Sequence, residues 1–144
     1  MTTMTDQHPA EFDTTTFAPR LGELLVSLDP ELFDRLHDDV TLRASGVAEW
    51  AGSYDGKAAA MAYAAEIGEA FPDMATEVID TLVSETRISV LVQLTVRRDG
   101  AEVSDRGMWT FTFDASGRIV DWEINDFDQV AMDDFWGRFP RPNG

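Results

Sequence analysis

The sequence predicts an α+β domain, with helices gathered in its first half and antiparallel strands in its second. Three observations carry this. Residues 87–98, 107–113 and 119–126 each alternate apolar and polar side chains, the two-residue period of a strand with one buried face. Asp99-Gly100 and the stretch Asp114–Gly117 lie between those runs and have the composition of hairpin turns. Ahead of them, Leu21, Leu24, Leu25 and Leu28 recur at helical spacing.

Taken in chain order, Pro19 is placed to open a first helix through Ser27. Asp29-Pro30 pairs an N-cap with a proline at the first helical position, so a short second helix is expected to about His37, burying Leu32, Phe33 and Leu36. Val40–Ala44 reads as a short strand. Residues 46–56 read as a loop carrying Trp50 and Tyr54. Asp55 is the expected N-cap of a third helix over 57–70, with Ala60, Ala64, Ile67 and Phe71 on its inner face, and Pro72 ends it. Glu77–Val83 is the next strand, followed by a turn at Ser84-Glu85.

The alternating runs follow. The first turns Ile88, Val90, Val92, Leu94 and Val96 to the core and Gln93, Thr95 and Arg97 away from it. The second turns Trp109, Phe111 and Phe113 inward. The third aligns Val120, Trp122, Ile124 and Asp126 on one face, with Asp121, Glu123 and Asn125 on the other. A short helix is expected over 127–135. The whole reads as one domain over 17–137, with a disordered lead-in over 1–16 and an extended tail over 138–144.

Composition narrows the function. The chain holds 27 acidic and 11 basic residues, a formal charge of −16, which repels phosphate backbones and anionic membranes. Nucleic-acid and membrane partners are therefore not expected. Without cysteine there is no thiol nucleophile, and a cytoplasmic location is the default. The two histidines, His8 and His37, stand far apart, so no metal site is expected. Neither a Gly-x-Ser-x-Gly elbow nor a glycine-rich nucleotide loop occurs, and no cofactor is expected.

Asp126 is the residue that matters. It ends the apolar face of the last strand, where a carboxylate sits at the rim of the core or inside a cavity. Among Trp109, Trp122 and Ile124 it would be desolvated, which raises its pKa toward the range of a general acid or base. Alternatively it caps the helix that follows. A buried Trp109 needs a partner for its indole N–H, and can hold a substrate carbonyl or orient Asp126. Trp50 and Tyr54 can stack on an aromatic ligand, and Val92, Leu94, Trp122 and Ile124 can line its pocket.

Four pieces of the sequence together resemble the NTF2-like superfamily, and within it the SnoaL-like polyketide cyclase and ketosteroid isomerase branch. They are residues 36–40, Gly56 with the helix ending in Ala70-Phe-Pro-Asp-Met74, the hairpin over 77–100, and residues 111–122 with their Gly-Arg-Ile-Val-Asp-Trp core. The resemblance implies a cone: a curved antiparallel sheet with three N-terminal helices packed on its concave face. It also implies a homodimer through the outer sheet face. The isomerase base falls at Ala44, its oxyanion acid at Trp109 and its tyrosine near Arg20 or Leu21. The last-strand acid of the epoxide hydrolases falls at about Ile124. None of these supports those two reactions. The acid/base Asp of the cyclases falls at Asp126, with Asp128 as the fallback. The resemblance thus implies cofactor-free acid/base chemistry (cyclisation, isomerisation or dehydration) on a hydrophobic, polyketide-like or polycyclic substrate. The alternative is a non-catalytic ligand-binding or dimerisation module. A cavity of several hundred cubic ångströms around Asp126, the usual ligand-site range, would favour the enzyme.

Overall fold

The computed structural model describes residues 12–142. The elements are α1 (Thr14–Ser27), α2 (Pro30–Asp34), β1 (Leu36–Ala44), β2 (Gly52–Asp55), α3 (Lys57–Ala70), β3 (Asp73–Val83), β4 (Arg87–Arg98), β5 (Ala101–Phe113), β6 (Ile119–Asp126) and α4 (Gln129–Gly137). One six-stranded sheet holds them in the order β2-β1-β6-β5-β4-β3. No helix among the described residues is long and apolar enough to cross a membrane.

The strands β3 to β6 form the expected antiparallel meander. β1, however, runs parallel to β6, and β2 pairs antiparallel with β1. The sheet is therefore mixed, not purely antiparallel. Alternation fixes which face of a strand is buried and says nothing about its neighbour, so this pairing was not legible. The residues 52–55, expected in a loop, supply β2. Tyr54 thereby stands opposite Leu42.

Among the described residues there are four helices: three precede the meander, as expected, and the fourth is the short helix expected over 127–135. α1 packs on β3 and β4, α3 on β1 and β2, and α4, after the sheet, on β5 and β6. α1 begins at Thr14 and not at Pro19. Asp13 caps it, accepting from the Thr15 N–H and the Thr16 hydroxyl. Pro19 lies one turn inside. It cannot bond the Thr15 carbonyl, but both residues are exposed and water can serve that oxygen. Most of the expected lead-in over 1–16 lies outside the described residues. α3 is capped by Gly56, at φ +93°, rather than by Asp55, which ends β2.

The core is the inner face of the sheet closed by α1 and α3. Ile88, Val90, Val92, Val96 and Phe111 have no exposed surface. On the outer face Thr110 shares a 2.8 Å hydrogen bond with Ser89. A bulge at the start of β6 changes one expected facing. Phe113 pairs with Ile119 and Thr112 with Asp121, so Val120 is skipped and Ile119 takes the inner position. From Trp122 to Asp126 the predicted alternation holds.

The tail is not a free extension. The Phe139 carbonyl accepts from the Trp50 indole at 2.6 Å. The Arg141 guanidinium pairs with Glu66 of α3 and donates to the Tyr54 hydroxyl at 2.9 Å. Residues 138–142 are thus strapped across α3 and the loop that precedes β2.

Candidate functional site

A cavity of about 100 Å³ opens between the inner face of the sheet and α3. Leu42 and Ala44 of β1, Leu94 of β4, Trp109 of β5 and Ile124 of β6 form its sheet side. Tyr63, Ala64 and Ile67 face it from α3, and Trp50 from the loop after β1. Leu28, at the C-cap of α1, and Trp136 of α4 border it too. Ala44 and Ile124 are paired residues of β1 and β6. The two positions at which the resemblance places the acids of isomerases and epoxide hydrolases are thus filled by apolar side chains of the cavity wall.

Among the described residues, Asp126 is the one charged residue that lines the cavity. It is half-buried at the end of β6. Burial pushes its carboxyl up to about 6; the nearby Asp105 and Asp133 charges add to this, while the Gln129 side chain opposes it by favouring the ionised form. The Asp126 N–H donates to Ser45 Oγ at 3.3 Å, and Ser45 Oγ donates to Gln129 Oε1 at 2.5 Å. Asp133 accepts from the Val47 and Ala48 N–H groups and from Gln129 Nε2. Gly46 allows this, because a side chain there would collide with Asp133 and Gln129, and its φ of +113° suits glycine.

Two buried donors belong to the same cavity. Trp109 is 6 % and Trp122 4 % exposed, and neither indole nitrogen has a hydrogen-bond partner. Their rings lie 6.4 Å apart. An unpaired buried N–H is costly, and such groups in a pocket are suited to a ligand's acceptor atom. A Cβ on Gly107 would lie 3.5 Å from Asp126 Oδ1 and 3.7 Å from Trp109 Nε1, so carboxylate and indole both approach this glycine.

Of the predicted site residues, the structure brings Trp50, Leu94, Trp109, Trp122, Ile124 and Asp126 together round one cavity. Three are placed elsewhere. Asp128 caps α4, accepting from the Ala131 N–H at 3.1 Å, and does not line the cavity. Val92 points inward but is sealed within the core. Tyr54 stacks on Tyr63 at 4.1 Å and donates to the Trp50 carbonyl, holding the wall from behind. The helix cap expected as an alternative role for Asp126 is therefore taken by Asp128. The cavity, at about 100 Å³, is smaller than the several hundred cubic ångströms that would favour an enzyme, so its size favours the binding module.

Sequence reading missed Tyr63, Ser45 and Gln129. Tyr63 is buried, and its phenol is pushed up by that burial. It was the one aromatic residue within the helix over 57–70, which was a usable signal. Ser45 and Gln129 carry none, since their roles exist only once β1, β6 and α4 converge.

Solved structures of the same shape share little sequence with this chain and so show the fold alone. Bal32a, from a soil-derived mobile gene cassette, is 21% identical over 85% of this chain and 95% of its own, with a TM-score of 0.77. A candidate SnoaL-like polyketide cyclase from Jannaschia sp. CCS1 is 18% identical over 92% of this chain and 97% of its own, with a TM-score of 0.71. RV0760c from Mycobacterium tuberculosis, in complex with estradiol-17beta-hemisuccinate, is 18% identical over 81% of this chain and 95% of its own, with a TM-score of 0.65. No curated protein is significantly similar to the chain. The family model of the SnoaL-like domain matches residues 24–122, well over half of the sequence, and the chain belongs to that family.

Proposed function

We propose that the cavity is an active site in which Asp126 moves a proton on a hydrophobic carbonyl compound, without a cofactor. One observation carries this reading. A carboxyl raised to about 6 stands in an otherwise apolar cavity with two indole N–H groups that lack partners. A group poised near neutrality is suited to acid/base work. As base, the Asp126 carboxylate takes a proton from the carbon beside the carbonyl. The C–H electron pair moves onto the carbonyl oxygen as an enolate. The Trp109 and Trp122 N–H groups are the candidate donors to that oxygen. Return of the proton at another carbon is an isomerisation, loss of a β-hydroxyl a dehydration, and attack on a second carbonyl a cyclisation. At about 100 Å³ the cavity is below the usual ligand-site range, so its mouth has to open for a ring-sized substrate and further for a polycyclic one. The steroid derivative held by the Mycobacterium tuberculosis protein supports a hydrophobic ligand for this fold.

The test is deuterium exchange at the methyl group of acetophenone in D₂O, followed by NMR. Asp126→Asn is expected to keep acetophenone binding and lower enzyme-dependent exchange by about 10²–10⁴-fold. Exchange unchanged in Asp126→Asn rejects the reading. Asp128→Asn serves as control and is expected to exchange like wild type, because Asn caps a helix as well as Asp. The replaced isomerase positions, Ala44 and Trp109, favour the second reading of a binding module, for which acetophenone binds with no exchange in any variant.

We also infer a homodimer through the outer sheet face, and a cytoplasmic location from the absence of cysteine. Gln93, Thr95, Met108, Thr110, Thr112 and Glu123 present a polar, half-buried surface there, in a chain that is otherwise strongly acidic. Light scattering that gives a monomer at about 50 μM would reject a dimer of moderate interface.

A further inference from the structure

All four tryptophans of the chain border this cavity. Trp50 comes from the loop after β1, Trp109 from β5, Trp122 from β6 and Trp136 from α4; Tyr63 of α3 joins them. Among the described residues, Asp126 carries the only charged group that lines the cavity, and no cationic side chain lines it. Asp105 and Asp133 deepen the negative field there, and the net charge of −16 extends it into solvent.

Each class of ligand meets this arrangement differently. An anion is repelled by Asp126. A neutral molecule can occupy the cavity but brings no counter-ion for the carboxylate. A metal ion finds aromatic walls in place of the several oxygen ligands it needs. An alkylated ammonium ion is weakly hydrated, is attracted to aromatic faces and pairs with the carboxylate. Its head group is also compatible with a cavity of about 100 Å³. The outer side of the same wall already attracts one cation: the Arg141 guanidinium lies 5.6 Å from the Trp50 ring centre and 5.4 Å from that of Tyr54.

We propose that the cavity binds a compact organic ammonium ion, with Asp126 as counter-ion and the tryptophans enclosing its alkyl groups. This rests on the reading that the cavity is the ligand site and is independent of whether Asp126 transfers a proton.

The test uses choline and its uncharged isostere 3,3-dimethylbutan-1-ol. Each is titrated into the full chain at pH 7.5 and low salt, followed by tryptophan fluorescence and calorimetry. Choline is expected to bind at least about tenfold tighter than the isostere, the worth of one partly desolvated charge pair. Asp126→Asn is expected to remove that preference while changing the isostere's affinity by no more than about twofold. Equal affinities in the wild type, a choline preference that survives Asp126→Asn, or no saturation by choline below about 10 mM overturns the proposal. Acetophenone separates the two readings. If it binds and exchanges while choline does not bind, the ammonium site falls and proton transfer stands. If choline binds with the stated preference and acetophenone does not exchange, the reverse holds.

Discussion

Gly107 stands directly across the β5–β6 ladder from Asp126, and a Cβ placed on it would lie 2.9 Å from the Asn125 carbonyl oxygen. That neighbour is backbone and cannot swing aside. Gly107→Ala therefore has to part β5 from β6 at the cavity, and is expected to cost about 1–3 kcal/mol. Gly68→Ala is the control. Nothing lies within 4 Å of a Cβ there, and alanine in helix α3 is expected to stabilise by about 0.5–1 kcal/mol. Urea unfolding of the two variants measures both signs. A neutral Gly107→Ala would show that the strands are not held as closely as described.

Asp126→Asn should stabilise the ligand-free protein near neutral pH. Below about pH 4 the carboxyl is protonated in the folded and the unfolded chain, and variant and wild type should be alike. As pH rises toward 6 the unfolded chain releases this proton and the folded chain resists, so the wild type loses stability. The loss is complete once pH exceeds the folded value of about 6 and reaches up to about 3 kcal/mol. Asparagine carries no charge and escapes it. The difference in melting temperature between the two proteins, measured from pH 4 to 8, should open in favour of the variant. A gap that stays constant with pH would refute a raised carboxyl.

Phe111 has no exposed surface, and its ring lies 4.9 Å from that of Trp122. Phe111→Ala is expected to cost about 3–5 kcal/mol by denaturant titration. Its neighbour Thr110 faces outward, and Thr110→Val, which loses only the hydrogen bond with Ser89, should cost about 0.5–1.5 kcal/mol. If the two costs were reversed, the register of β5 would be wrong by one residue.

Ending the chain at Gly137 removes the partner of the Trp50 indole and the cation from Glu66 and Tyr54. A buried donor left unpaired costs about 1–3 kcal/mol, which calorimetric unfolding should detect. Tryptophan emission should also shift to the red as water reaches Trp50. An unchanged melting temperature and spectrum would show that the tail does not hold this wall.

Much of the fold was legible because burial follows period. Ile88 to Val96 and Trp109 to Phe113 alternate, and their burial alternates with them. The same logic put Trp109, Trp122, Ile124 and Asp126 on one inner surface, and they do meet there. What period cannot convey is distance along the inward direction. Val92 and Leu94 share a face, yet only Leu94 reaches the cavity. Nor does it convey partners far apart in sequence. Ser45 and Gln129, 84 residues apart, became neighbours only through the β1–β6 pairing and the turn into α4. Pro19 misled because proline is tolerated within a helix where the orphaned carbonyl faces water, and Thr15 does.

That same β1–β6 pairing bears on how the chain matures. β6 lies between β1 and β5, yet it is the last strand to be synthesised. Until residues 119–126 leave the ribosome, β1 and β2 have no sheet to join, and the inner side of β5 has half its cover. The early strands must therefore wait in an incomplete state, with their apolar faces and hydrogen-bonding edges open. Closure depends on contacts between residues about 80 positions apart, the kind that slows folding because a long loop must close before any of them forms. The sheet is completed by insertion at its middle and not by growth at an edge. The cavity, whose wall takes residues from β1, β5 and β6, is therefore complete only once β6 is in place.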